Sequence, residues 1–298
     1  MELNIVNYFY NISNSILDTV FQIFSFFGTD YFFFILFFIM YWTGSKRSAF
    51  KFACVYYLSV FTNFGLKNII RRQRPYPMPY DTFAMPSGHA QGYALMATYN
   101  CMEDFRTKKY KTWQKWVFPI LLVLIGVGVC ISRMYFGRHY LSDVLVGSAI
   151  GIGCAFLFDF IVEILAKKSP ISLKKFMTAY LLPFSIVAYF MVTFIDVFNQ
   201  DTVIKIYSSI GMYLGVYIGY LLDDRYLKYQ ASGTPFEKTK KMLLGALIML
   251  TTYFILVKFI KIIYLLPLIF IAVGVMGTYV VPLVLTKVFE PSVKVGDK

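Results

Sequence analysis

Only two histidines, His89 and His139, occur in 298 residues, and each stands at the mouth of an apolar run beside cationic or small polar side chains. The stretch Ser132-Arg-Met-Tyr-Phe-Gly-Arg-His-Tyr-Leu-Ser-Asp143 is the densest in potential chemistry. If the chain is helical from His139 onward, His139 and Asp143 lie four residues apart on one face. The carboxylate can then reach one imidazole nitrogen and fix the tautomer, leaving the other nitrogen as a nucleophile or base. A carboxylate near the start of a membrane helix is costly unless paired, and His139 is its natural partner.

Two further clusters could serve the same centre. Lys67 and Arg74-Pro75 close an apolar run, and a spacing of seven, about two helical turns, would stack both cations on one face. A point-charge ammonium and a forked guanidinium together suit a phosphate dianion, although such clusters also anchor helices among lipid headgroups. Pro86-Ser87-Gly88-His89 directly precedes another apolar run. Ser87 reads as an N-cap, Gly88 lets backbone approach a ligand, and the free amides of the first turn can hold an anion beside His89. Arg133 offers another fork for phosphate oxygens, and Arg138 either joins it or faces lipid.

These residues need elements to carry them, and the composition says which. The chain is 58% hydrophobic and 19% aromatic with mean hydropathy +0.61, which predicts an all-α polytopic membrane protein. The net charge of +13 sits in short clusters between apolar runs. That pattern belongs beside anionic lipid and argues against nucleic acid as a partner. Cys54, Cys101, Cys130 and Cys154 form no CxxC pair and read as small buried hydrophobes.

Residues 1–28 lack Lys and Arg and read as a helix lying in the interface, retained because no basic n-region or cleavage site marks a signal. Nine apolar runs follow, at roughly 30–44, 48–66, 87–103, 114–131, 140–166, 171–195, 202–222, 241–258 and 262–286. Most are near the ~20 residues a span requires. The first is short, and a single tilted helix over 15–44 is its alternative. Lys46, Arg47 and Lys51, then Arg106 to Lys115, then Lys167 to Lys175 mark one set of loops as cytoplasmic. The motif loops 67–86 and 132–139 then face away from the cytoplasm. The expected division is an interfacial segment 1–28, a core 29–195 and further spans 196–298.

The motifs Lys67-x6-Arg74-Pro75, Pro86-Ser87-Gly88-His89 and Ser132-Arg133-x5-His139-x3-Asp143 together resemble the signature of the type 2 phosphatidic acid phosphatase superfamily, over roughly residues 25–166. The resemblance implies a six-helix phosphatase core extended here by about three C-terminal helices. It also implies that His139 attacks phosphorus to form a phosphohistidine while Asp143 orients it. His89 would protonate the leaving group and then activate water, with Lys67, Arg74, Ser87, Gly88 and Arg133 holding phosphoryl oxygens. It implies no metal and no cofactor. A lipid phosphate of the bilayer is the expected substrate, and the composition, rich in Lys, Ile, Phe, Tyr and Asn, suits an AT-rich genome and a bacterial plasma membrane. Transfer of the phosphoryl group to an acceptor other than water is the enzymatic alternative, and lipid transport without chemistry the non-enzymatic one.

The C-terminal part shows no second catalytic cluster. Gly211, Gly215 and Gly219 recur every four residues, a flat face that suits close packing within the chain or a seam in a homo-oligomer. Asp223-Asp224-Arg225 with Lys228, Lys238, Lys240 and Lys241 reads as a solvated charged connection.

Overall fold

A computed structural model describes residues 1–76, 83–107, 114–168, 182–194, 200–256 and 265–289, and among these every regular element is helical. The helices are α1 (Glu2–Asn11), α2 (Ser15–Phe26), α3 (Asp30–Thr43), α4 (Lys46–Ile70), α5 (Gly88–Thr107), α6 (Gln114–Tyr135) and α7 (Leu141–Lys168). They continue as α8 (Leu182–Phe194), α9 (Gln200–Leu222), α10 (Pro235–Leu256), α11 (Leu266–Val275) and α12 (Val281–Phe289), with π-helical turns at Asp223–Leu227 and Met276–Val280. Residues 108–113 of the cationic stretch from Arg106 to Lys115, residues 77–82 of the expected motif loop 67–86, residues 171–181 of the expected span 171–195, and the C-terminal lysines Lys294 and Lys298 lie outside the described residues.

Among the described residues four helical stretches are long and apolar enough to cross a membrane, at Lys115–Tyr135, Leu141–Ile164, Pro235–Leu256 and Leu266–Phe289. A fifth arises if α2 and α3, which bend by 50° at their junction, count as one broken span. The tilted helix over 15–44 is therefore two helices, broken where Gly28 and Thr29 interrupt the apolar run. Nine spans were expected; α4, α5 and α9 are long enough but too polar to pass the same test. The polar residues of α4 and α5 hydrogen-bond to one another inside the first unit. The protein is a multi-pass, all-α membrane protein.

The chain divides into two compact units: residues 1–35 with 55–170, and residues 36–54 with 171–298. This partition runs through α3 and α4, whereas the sequence reading divided the chain at 28 and 195. In the first unit the supposed single interfacial helix is a pair. Asn14 caps α2 by accepting from the Ile16 and Leu17 amides at 3.1 and 3.0 Å. Tyr135 of α6 donates to Asp18 Oδ1 at 2.6 Å and packs its ring on Phe21, which fixes α2 along α6. Helix α1 is tied to the start of α7: Glu2 Oε1 accepts from the Ser142 amide at 2.8 Å, and Oε2 pairs with Arg72 at 2.6 Å.

Small residues let α5 and α7 approach. A Cβ on Gly147 would stand 2.6 Å from the Ser87 carbonyl, and one on Gly151 2.2 Å from that of Gln91. Gly137 turns the chain from α6 into α7 at φ +63°, where a Cβ would also strike the Tyr76 ring.

In the second unit, the glycine face of α9 is filled by α11. A Cβ on Gly211 would lie 2.3 Å from the Pro267 carbonyl, and one on Gly215 2.3 Å from that of Ile271. The stripe is thus intramolecular packing rather than a seam awaiting a copy. The charged connection is solvated only in part: Arg225, Lys228 and Lys240 are exposed, whereas Asp223 and Lys241 are buried. Asp223 is fully buried in its π turn, where it accepts from Lys46 Nζ at 2.8 Å, Tyr41 Oη at 3.0 Å and the Tyr229 amide at 2.9 Å. A buried carboxylate persists only when so satisfied.

Two expectations follow. Gly215→Ala pushes a methyl into backbone that cannot move aside and costs about 1–3 kcal/mol. Gly65→Ala, with nothing within 4 Å of its Cβ, is neutral or slightly stabilising, and thermal unfolding in detergent reads both. The Glu2 carboxyl is lowered from the usual 4.5 to about 2 by the Arg72 and Ser142 hydrogen bonds. A lowered carboxyl contributes stability that is present above pH 4.5 and lost as pH falls towards 2. Glu2→Gln should therefore melt below wild type at pH 7, and the gap should shrink by pH 3.

Candidate active site

The motif residues converge at one end of the first unit. His139 lies in the turn just before α7 rather than on it, because Gly137 and Arg138 complete the end of α6 by bonding back to Met134 and Arg133. Its Nδ1 stands 3.7 Å from Asp143 Oδ2, beyond hydrogen-bond length but close enough for charge to act. Asp143 is occupied in another way. Oδ2 accepts from the Tyr140 amide at 2.8 Å, a carboxylate three residues into the helix reaching back to its cap, and Oδ1 accepts from Arg72 at 2.9 Å. The backbone carbonyl of Asp143 accepts from the Ser87 amide at 2.9 Å, which joins the second and third motifs directly.

Ser87 occupies the cap position of α5, and its carbonyl accepts from the Gln91 amide at 3.0 Å. Its hydroxyl does not cap: Ser87 Oγ is buried without a hydrogen-bond partner. Arg133 Nε and His139 Nδ1 are buried in the same condition. Native proteins rarely leave such atoms unpaired, and here all three belong to motif residues.

Lys67 and Arg74 do not stack on one helix face. Arg71 adopts φ +52° and ends α4, so Arg74 stands on the strand of chain beyond it. Lys67 Nζ donates to the carbonyls of Phe83 and Ala84 at 2.6 and 3.1 Å, and Arg74 donates to the Arg138 carbonyl at 3.0 Å. Both still act on the same imidazole. Burial, then the charges of Lys67, Arg133, Arg74 and His89, hold His139 well below the ordinary histidine range. At neutral pH its ring is uncharged, the form in which a nitrogen can attack. Arg74 is itself lowered to about 10, by burial and by the neighbouring Arg138 charge, so Arg138 belongs to this cationic group.

Several participants escaped the sequence reading. Ser59, Asn63 and Lys67 repeat every four residues on one face of α4. Gln91, buried in α5, donates to the Ser59 carbonyl and hydroxyl at 2.8 Å each, and its Oε1 accepts from Asn63 at 2.8 Å. Asn63 also donates to the Pro86 carbonyl at 3.2 Å. This polar seam sets where α4 delivers Lys67, and the four-residue spacing was the signal for it. Ser25 Oγ, in α2, accepts from Arg133 Nη1 at 2.7 Å. Gly28 backs onto His89, whose Cβ would lie 2.7 Å from any Cβ placed there. Arg72, inside the first motif, holds Asp143 and Glu2 together. No spacing rule could have found Glu2, Ser25 or Gly28.

Residues 48–164 match the PAP2 superfamily, and residues 207–290 match the PAP2 superfamily phosphatase, transmembrane extension. The chain is 34% identical over 109 residues to a dolichyldiphosphatase of Saccharomyces cerevisiae, covering 34% of this chain and 46% of that protein. It is 35% identical over 116 residues to glucose-6-phosphatase catalytic subunit 1 of Felis catus, covering 36% and 31%. It thus spans less than half the length of these relatives. Among solved structures it is similar to a transmembrane PAP2 type phosphatidylglycerolphosphate phosphatase from Bacillus subtilis, at 24% identity over 55% of this chain and 85% of that one, with a TM-score of 0.49. With the domain and its transmembrane extension both present, and the three motifs complete within the first, the chain belongs to the PAP2 superfamily.

Proposed function

We propose that this protein is a phosphatase of membrane lipid phosphates that works through a phosphohistidine at His139. The observation that carries the reading is the group of three buried, unpaired polar atoms, Ser87 Oγ, Arg133 Nε and His139 Nδ1, set among cations that act on one uncharged imidazole. The cations Lys67, Arg74, Arg133 and Arg138 outnumber the one net negative charge of the Glu2–Arg72–Asp143 group, an excess that suits a phosphate dianion. Phosphoryl transfer depends mainly on such positioning and charge cancellation.

His139 Nδ1 faces Asp143, so Nε2 is the attacking atom. It bonds to phosphorus as the ester P–O bond breaks, and His89 gives its proton to the departing alkoxide. His89 then takes a proton from water, whose oxygen attacks the phosphohistidine and releases inorganic phosphate. Lys67, Arg74, Arg133, Ser87 and the Gly88 amide hold the phosphoryl oxygens. Arg133 and Asp143 stand at the ends of two spans, so the reacting group is met at the membrane surface, where a lipid presents its phosphate. The names borne by the relatives include both a lipid diphosphatase and a sugar phosphatase, and the motif residues read only the phosphoryl group.

By the positive-inside argument the site faces away from the cytoplasm, in a bacterial plasma membrane. A reporter fused after Lys298 should be cytoplasmic; an extracytoplasmic signal would reverse the assignment.

The reading is tested by phosphate release from purified protein in detergent, offered phosphatidic acid, phosphatidylglycerol phosphate, an isoprenyl diphosphate and glucose 6-phosphate. A lipid should be turned over, His139→Ala should fall to background, and His89→Ala should fall about 10²–10⁴-fold. Turnover of glucose 6-phosphate alone would remove the lipid, and silence across the panel would remove the phosphatase.

A further inference from the structure

Glu2 lies far outside the matched domain, which begins at residue 48, yet it sits one guanidinium away from Asp143. We propose that Glu2, acting through Arg72, is a positioning residue for the His139–Asp143 pair, returning to that pair the negative charge that Arg72 alone would cancel. The inference rests on the phosphohistidine reading above.

Arg72 Nη1 meets Asp143 Oδ1 at 2.9 Å, and on the other edge of the same guanidinium Nη2 meets Glu2 Oε2 at 2.6 Å. An arginine paired with Asp143 alone makes a neutral unit, and a neutral unit does little for a ring that becomes cationic as it bonds phosphorus. Adding Glu2 leaves the group of three with one net negative charge. That charge matters because the other groups acting on His139 are the cations Lys67, Arg133 and Arg74, together with His89. Asp143 is fully buried, whereas the Arg72 and Glu2 side chains are 28% and 35% exposed, so solvent screens the Glu2 charge in part while the Asp143 end of the group is shielded.

Orientation is fixed at the same time. The Arg72 guanidinium lies over the Tyr140 ring at 4.2 Å and donates to the Ser142 hydroxyl, while Glu2 Oε1 takes the Ser142 amide. A carboxylate serving only to cap α7 would need that amide contact alone. The second oxygen is turned to the arginine instead. The guanidinium is thereby held in one plane against Asp143, whose Oδ2 is in turn fixed by the Tyr140 amide within 3.7 Å of the imidazole.

Charge and mere anchoring make opposite forecasts for a double variant. Glu2→Gln leaves Arg72 unopposed, so kcat should fall about tenfold, the equivalent of one pKa unit of differential interaction, with KM changed less than about twofold. Glu2→Gln combined with Arg72→Gln removes the unopposed cation as well, while the introduced amide can still donate to Asp143 Oδ1, so kcat should rise above that of Glu2→Gln. If Glu2 only anchors α1, the double variant is worse than either single. The experiment is phosphate release by the full chain in detergent from whichever panel lipid it hydrolyses.

A readout independent of turnover accompanies it. With two histidines in the chain, ¹⁵N-histidine labelling gives two imidazoles, and the resonance lost in His139→Ala assigns His139. In saturating inorganic phosphate its titration midpoint should fall in Glu2→Gln and return in the double variant. A midpoint unchanged, or lowered further in the double variant, overturns the proposal, as does an unchanged kcat in Glu2→Gln. Should Glu2→Gln fail to fold, Arg72→Gln alone decides: a midpoint above that of wild type supports the proposal and one at or below it does not. Should wild type hydrolyse nothing, the phosphatase reading falls and the titration still judges the Glu2 network.

Discussion

The structure of the first unit depends on burying one carboxylate without leaving it alone. Asp143 has no exposed surface, and desolvating an ion costs several kcal/mol unless its oxygens are met. Meeting them recruits the rest of the site. The Tyr140 amide fixes the first turn of α7, and Arg72 brings the chain beyond α4. Glu2 follows Arg72 and brings α1, and the Asp143 carbonyl brings Ser87 at the head of α5. Three segments distant in sequence are thus tied to one residue of α7. His139, four positions earlier, takes its place from that arrangement rather than from a direct bond to the carboxylate.

A charged cluster at a helix end needs a frame that does not yield, and here the frame is made by what the helices lack. Glycines at 147 and 151 bring α7 against the backbone of α5 at Ser87 and Gln91. The distance between the second motif and the third is set by backbone contact, which is stiffer than contact through flexible side chains. The seam of Ser59, Asn63 and Gln91 does the same between α4 and α5 with hydrogen bonds. In a medium without water these polar groups must find one another, so each bond also specifies register. This is why α4 and α5 look too polar for spans when judged by composition alone.

The site was legible in the sequence to the extent that its chemistry is local. Ser87-Gly88-His89 and the run from Arg133 to Asp143 announce an anion-binding helix start and a histidine beside a carboxylate, and the structure brings these residues together. What could not be read was long-range pairing. Asp223 looked like part of a solvated run because its partners Tyr41, Lys46 and Tyr229 are dispersed through the chain or hidden in a turn. Helix limits misled in a related way: a seven-residue spacing stacks Lys67 and Arg74 only if the helix continues, and Arg71 ends it. The spacing of His139 and Asp143 suggested a shared helical face, whereas a cap lies between them, with the same result for proximity but not for hydrogen bonding.

Residues 1–35 fold with the three motifs although all of them precede the matched domain. Their contributions fall on motif side chains: Ser25 on Arg133, Gly28 on His89, Glu2 on Arg72. Ser25 and Gly28 add no charge and limit the freedom of a motif residue, whereas Glu2 brings a carboxylate of its own to Arg72. A motif set that cradles a phosphoryl group can serve many esters, because the cradle ends at the phosphorus. Segments that lean on such a motif set from outside can alter its stiffness and local charge, and in this chain the N-terminal segment touches it in that way through Glu2, Ser25 and Gly28.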